Sequence, residues 1–460
     1  MDNSNDFLGT EPIGKLLFKL AVPAITAQLI NMLYNLVDRI FIGHIADVGA
    51  LALTGVGVCL PIILLISAFA SLVSMGGSPR ASIYMGKGDY KSAEKILGNC
   101  LSLLIVISII LTAVIFIWNE DLLLMFGASE NTIGYASSYM KIYALGTIFV
   151  QLSLGMNAFI TAQGFAKTSM YTVLIGAICN IILDPIFIFV LDFGVEGAAI
   201  ATIISQAISS VWVIRFLRSK KTTLKIKKEN LPLKKEFILP AVALGFAPFI
   251  MQSTESILAV CFNASLLKYG GDVAVGAMTI LSSVMQFAML PLSGLGQGAQ
   301  PVISYNFGAG NVDRVKKTFK KLLMICLLYA SLLWALVMLF PGMFAAIFTS
   351  DQILIDFTKH ALRIYMATSL VMGIQMSCQF TLIALGNAGA SVLIAIMRKI
   401  VILIPLIYIL PCFFSDKTTA VYSAEPFADV LAVLFTIGIF AFQFKKVISK
   451  LENSQNPPTE

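Results

Sequence analysis

The sequence predicts an all-α integral membrane protein of about twelve transmembrane helices in two pseudo-symmetric six-helix bundles, and three observations predict it. Apolar runs close to the length that crosses a bilayer, about 20 residues, recur from Leu16 to Phe444. Of the 460 residues, 58% are hydrophobic and 12% charged, against about 25% charged in an ordinary soluble domain. Residues of the second half also repeat those of the first at a nearly constant spacing.

In chain order, the apolar runs place helices near 16–40, 50–76, 94–118, 135–160, 169–190, 196–217, 237–267, 273–300, 319–340, 358–385, 391–411 and 427–444. The first residues are polar and acidic (Asp2, Asp6, Glu11) and no cleavage pattern follows the first run, so the first helix is expected to direct its own insertion. Basic residues fall in alternate loops: Arg80, Lys87, Lys91 and Lys95, then Lys167, then Arg215 to Lys235, then Arg314 to Lys321, then Lys445, Lys446 and Lys450. The other loops carry Asp47, Glu120, Asp121, Glu130, Asp192, Glu196, Asp351 and Asp416. The positive-inside rule then puts both termini in the cytoplasm, in a plasma-membrane protein. The net charge of +7 is explained by this topology rather than by nucleic acid.

Four segments follow: a bundle over 1–217, a basic cytoplasmic linker over 218–236, a second bundle over 237–445 and a polar tail over 446–460. The linker, with Lys220, Lys221, Lys225, Lys227, Lys228, Lys234 and Lys235, reads as a solvated, topology-setting segment, with contact to anionic membrane lipid as the other reading. Gly76, Pro79, Ser82, Gly86 and Gly88 match Gly298, Pro301, Ser304, Gly308 and Gly310, each 222 residues on. Phe126, Lys141, Tyr143, Ala162 and Gly164 match Phe348, Arg363, Tyr365, Ala384 and Gly386 at the same spacing, whereas Pro23 and Pro248 lie 225 apart. Two copies with an even number of helices share one membrane orientation, the parallel-repeat plan whose site lies between the halves.

Ionisable groups inside spans cost about 2.5–3.5 kcal/mol on insertion scales and are functional candidates by default. Asp38 ends the first helix, Asp184 lies in Asn180-Ile181-Ile182-Leu183-Asp184-Pro185, and Glu255 stands mid-helix between Thr254 and Ser256 as a second candidate ion site. Asn180 and Asp184 are four apart and share a helix face. Pro185 has no N–H, so the carbonyl of Ile181 loses its helical partner and adds local polarity. A carboxylate withdrawn from water beside a second one holds a proton near neutral pH. Pro23, fifteen residues before Asp38, is a candidate hinge. Arg398 and Lys399 either snorkel or pair with an acid.

The seven cysteines are scattered, without a Cys-x-x-Cys, and read as buried thiols rather than disulfide or metal ligands. There is no Gly-x-x-x-x-Gly-Lys-[Ser/Thr] loop for ATP, two histidines are too few for a His-rich metal site, and no nucleophile is paired with a base. The expectation is a non-enzyme without a cofactor.

The ordered segments Leu20-Ala21-Val22-Pro23, Asn35-Leu36-Val37-Asp38-Arg39-Ile40-Phe41-Ile42-Gly43-His44, Asn180 to Phe189, Gly194 to Thr202 and Gly308-Ala309-Gly310-Asn311 resemble the multidrug and toxic compound extrusion (MATE) family over nearly the whole chain. The resemblance implies a V-shaped pair of bundles that expels cationic or amphipathic organic compounds in exchange for H⁺ or Na⁺. It also implies a cation-binding cluster in the first half, matched here by Asp38, Asn157, Asn180, Asp184 and Thr202 with Tyr139 in support, and Na⁺, if used, at Asp38, Asn180, Asp184 and Thr202. Asn31, Tyr34 and Asn157 would face the substrate chamber. Glu255 resembles the acid of another branch, whose partner acid on the tenth helix is missing from Arg363–Phe380. Two other readings are a flippase of lipid-linked oligosaccharide, which would need more cationic groups in the cavity, and a membrane receptor or scaffold without transport.

Overall fold

The computed structural model describes residues 6–455; Asp2 and residues 456–460 of the expected tail lie outside them. Its spans are α1 (Ile13–Gly43), α2 (Gly49–Gly86), α3 (Tyr90–Ile117), α4 (Ile133–Leu145 with Thr147–Ala162), α5 (Ala166–Val190) and α6 (Gly194–Arg218). The second half has α7 (235–270), α8 (272–308), α9 (Val312–Leu339), α10 (Gln352–Tyr365 with Ser369–Ala384), α11 (Ala388–Cys412) and α12 (Lys417–Gln455). No strand occurs among the described residues. The helical stretch from Lys235 to Gly308, at 74 residues, is far too long for one crossing. It breaks at Gly271, whose φ of 65° and ψ of −162° only glycine adopts without strain, and so forms two spans. With that break the total is the expected twelve.

Several boundaries differ from those expected. α2 runs to Gly86 rather than 76, α8 to residue 308 rather than 300, and α12 starts at Lys417 rather than 427 and continues to Gln455. The reason is that apolar runs report the bilayer-crossing part of a helix, whereas its hydrogen bonding continues into polar residues outside. The linker is accordingly shorter than 218–236, between Arg218 and Lys235, and the expected tail is helical through Gln455.

The repeat is visible in matching details. α4 bends by 57° and α10 by 47° at equivalent places. Ser82 Oγ donates to the Ala162 carbonyl and Ser304 Oγ to the Ala384 carbonyl, both at 2.8 Å. Asn157 Nδ2 donates to the Ser169 carbonyl at 3.2 Å, and Gln379 Nε2 to the Ser391 carbonyl at 3.1 Å.

The basic loops collect at one end of the molecule, here termed the basic face. Gln163 Oε1 accepts from the Thr222 hydroxyl and from the backbone N–H groups of Thr223 and Leu224. Glu94 accepts from the Lys225 N–H and pairs with Lys227, so the linker is tied to the first half. Arg314 donates to the carbonyls of Leu8 and Glu11, and Lys316 pairs with Glu452 at 2.8 Å, which brings both chain ends to this face.

At the basic face the halves are in backbone contact. A Cβ on Gly245 would meet the Leu72 carbonyl oxygen at 1.8 Å, and one on Gly86 would meet that of Tyr305 at 2.0 Å. Hydrogen bonds between the cores of the two halves among the described residues reach up to Gln28–Gln297 (3.4 Å) and Ser71–Gln252 (3.2 Å). Gln28 is fifteen residues along α1 from Ile13, about 22 Å, and Asp38 lies ten residues further.

Candidate functional site

The acidic site forms where α1, α4, α5 and α6 meet, beyond the level at which the halves touch. Asp184 is fully buried and Asn180 nearly so, because their shared face of α5 turns inward. Asn180 Nδ2 donates to Asp184 Oδ1 at 3.0 Å. Beyond Pro185 the backbone widens into a π-helical turn, Ile186–Val190, a distortion frequent at functional sites. From α1, the Asp38 carboxyl lies beside that of Asp184. Tyr139 of α4 is buried beside Thr202 of α6, and its ring stacks on Tyr143 with centroids 6.1 Å apart. Tyr34, one turn before Asp38, lies beside both acids.

The hydrogen-bond inventory is one-sided. Asp38 Oδ1, Asp184 Oδ2 and Asn180 Oδ1 are all buried acceptors without a donor. Buried oxygens left in this state are costly, and two carboxylates side by side repel unless a positive charge lies between them. The arrangement can therefore accept a proton or a small cation. Oxygen donors from two acids and an amide suit a hard monovalent ion, and no group of three or more His, Cys, Asp or Glu that could hold a metal occurs among the described residues.

Below this cluster, toward the basic face, a small cavity of about 30 Å³ is lined by Asn31, Tyr34, Asn180, Thr202, Ser153 and Gln206, among others. That is room for water or a bare ion rather than a drug. Asn157, expected in both the cation cluster and the substrate chamber, is placed elsewhere. It bonds to Ser169, eleven residues or about 16 Å along α5 from Asn180, and Ser153 takes its place in the cavity. Asp38, Asn180, Asp184, Thr202 and Tyr139 are brought together; Asn157 is not.

The second half is organised differently. Lys399 Nζ meets Glu255 Oε1 at 2.6 Å, the lysine side chain 9% and the glutamate side chain 57% exposed. Arg398 meets Asp429 at 2.8 Å and Glu425 at 3.2 Å, all three nearly buried. Arg398 and Lys399 thus pair with acids, on a π-helical stretch of α11, Met397–Leu403. The candidate ion site at Glu255 already holds an ammonium. Glu425 and Asp429 are absent from the sequence expectation because they precede or just enter the run assigned to the last helix. Their signal is the four-residue spacing around Pro426, together with two bases inside α11 that need counter-charges.

Of the cysteines, Cys59, Cys100, Cys326 and Cys378 are buried, Cys179 and Cys261 are half-buried and Cys412 is exposed; all are free thiols.

The family model MatE matches residues 23–186 and again 248–409, two copies whose starts are spaced as Pro23 is from Pro248. A multidrug export protein MepA of Staphylococcus haemolyticus is 27% identical over 95% of this chain and 96% of its own length. One from Staphylococcus aureus is 26% identical over 88% of each. Among solved structures, a MATE protein in the bent conformation superposes with a TM-score of 0.90 at 22% identity, over 98% of both chains. An outward-facing multidrug resistance MATE family transporter of the MOP superfamily gives 0.89 at 22%, over 97% and 98%.

Proposed function

The chain belongs to the MatE family, whose members are membrane transporters and not enzymes, and from that membership we propose that it is a secondary active antiporter. It exports cationic or amphipathic organic compounds across the plasma membrane in exchange for H⁺ or Na⁺ entering the cell. The full-length likeness to proteins named for multidrug export supports the substrate class.

The observation that carries the coupling is the placement of Asp38 beside Asp184 amid buried acceptors that lack donors. A cation arriving between the two carboxylates stabilises the first bundle in one conformation, and its departure favours another, with Pro23 of α1 as the hinge. Exchange follows when cation and substrate prefer opposite states. Contact between the halves at the basic face, the side the positive-inside rule puts in the cytoplasm, supports reading this state as closed inward. In the second half the Lys399 ammonium and Arg398 guanidinium supply the positive charge from within. Exchangeable coupling is therefore assigned to the first half.

The test is counterflow of a fluorescent organic cation in liposomes with H⁺ and Na⁺ gradients imposed separately. Uptake driven by one of the two gradients is expected. Equal, gradient-independent movement, or none, contradicts antiport.

A further inference from the structure

Two cavities lie on opposite ends of one helical face. The upper one, below the acidic pair, includes Ser153 of α4. The lower one, of about 40 Å³, sits between the halves, and its polar lining is Ser78, Ser82, Thr161, Gln297 and Gln300. Ser153, Asn157 and Thr161 are spaced by four, so they stack on a single face of α4 and span about 12 Å. Together they place a ladder of polar groups between the two cavities.

The ladder has unused hydrogen-bonding capacity at each level. Gln206 Oε1, on the upper cavity, and Asn157 Oδ1, between the two, are buried acceptors without a donor. At the bottom, Gln300 is 6% exposed and its Nε2 has no acceptor. Thr161 donates to Ser169 Oγ at 2.8 Å and lines the lower cavity. The Asn157 contact to Ser169 recurs in the second half as Gln379 to Ser391, so that bond is architectural. Thr161 is different, since its repeat counterpart is Ile383. The Thr161 hydroxyl itself therefore has no repeat counterpart, and it lies in the half that holds the acidic pair.

We propose that Ser153, Asn157 and Thr161 form the inward exit path of the coupling cation, a proton or a sodium ion, and that Gln300 of the opposite half lids its lower end. The proposal rests on the antiport reading above. Because the lower cavity is closed by α8, the cation reaches the cytoplasm only when α8 separates from α2 and α4, which is the same movement that opens the substrate cleft inward. Substrate and cation thus leave or enter by different routes governed by one interface, and a leak of cation without conformational change is prevented.

The experiment compares wild type, Thr161→Val, Thr161→Ser and Asp184→Asn in liposomes, with ethidium as the organic cation. One arm reads internal pH by a trapped dye and a second reads Na⁺ by a sodium-sensitive dye, which identifies the ion. Thr161→Val, nearly isosteric, is expected to slow substrate-driven cation movement about tenfold, the scale of one lost polar contact to a bare ion. Ethidium–ethidium exchange without a cation gradient is expected to stay at the wild-type rate, and Thr161→Ser to restore cation movement. Wild-type cation movement in Thr161→Val alongside none in Asp184→Asn overturns the exit path and leaves the antiport reading standing. Loss of ethidium exchange in Thr161→Val marks a structural role and also overturns it. Normal cation movement in Asp184→Asn overturns both.

Discussion

Asn180 gives its side-chain amide to one oxygen of Asp184, Oδ1, at 3.0 Å, and the other oxygen, Oδ2, stays buried without any donor. The amide fixes the carboxylate's orientation while leaving its second oxygen available beside Asp38. That division separates holding the acid from using it, and it has no counterpart in the second half, where Glu425 and Asp429 accept from Arg398 and Glu255 accepts from Lys399.

Removing a fixed cation from the second half is predicted to be expensive in one case and cheap in the other. Arg398→Gln leaves Glu425 and Asp429 as uncompensated buried charges, at a cost of about 3–5 kcal/mol. Lys399→Gln leaves one unpaired carboxylate, Glu255, rather than two fully buried ones, so its cost is smaller. Melting temperatures of the purified variants check the order; equal values would contradict it.

The seal between the halves depends on side chains being absent. Gly245→Ala puts a methyl group 1.8 Å from the Leu72 carbonyl oxygen, so α7 must move off α2, at about 1–3 kcal/mol. Gly57, on the same α2, has nothing within 4 Å of its Cβ position. Gly57→Ala is therefore neutral or gains up to about 1 kcal/mol from helix propensity. Thermal stability and the reactivity of the basic face to water-soluble probes are expected to change in Gly245→Ala alone.

At the start of α3, Asp89 Oδ1 accepts from the Ser92 N–H at 3.0 Å. Hydrogen bonds from the Ser92 side chain and backbone hold its carboxyl below the usual carboxylate range. A lowered folded-state value means that the cap contributes above the unfolded value, about 3.9, and is lost as pH falls through the folded one. Asp89→Ala is predicted to cost about 1 kcal/mol near neutral pH, with the difference from wild type shrinking below pH about 4. Stability measured against pH for both proteins checks the sign.

The membrane architecture was legible because apolar run length and loop charge report directly on the bilayer, and the repeat because paired positions such as Ser82 and Ser304 make the same bond in each half. Depth within the bundle was less legible. α4 and α5 form an antiparallel hairpin turning near Gly164, so residues equidistant from that turn face one another. Asn157 therefore faces Ser169, as observed, and counting from the turn would have separated it from Asn180. Glu425 and Asp429 escaped notice for another reason. A buried charge network lowers the hydropathy of the very stretch it occupies, so the apolar run begins only at residue 427, between the two acids.

The central claim is that the Asp38–Asp184 pair carries the coupling ion, and substrate-driven cation release measured in Asp184→Asn vesicles tests it most directly. The account predicts that ethidium addition releases no H⁺ and no Na⁺ in this variant while the folded protein still binds ethidium. Release at the wild-type rate, with either ion, would contradict it.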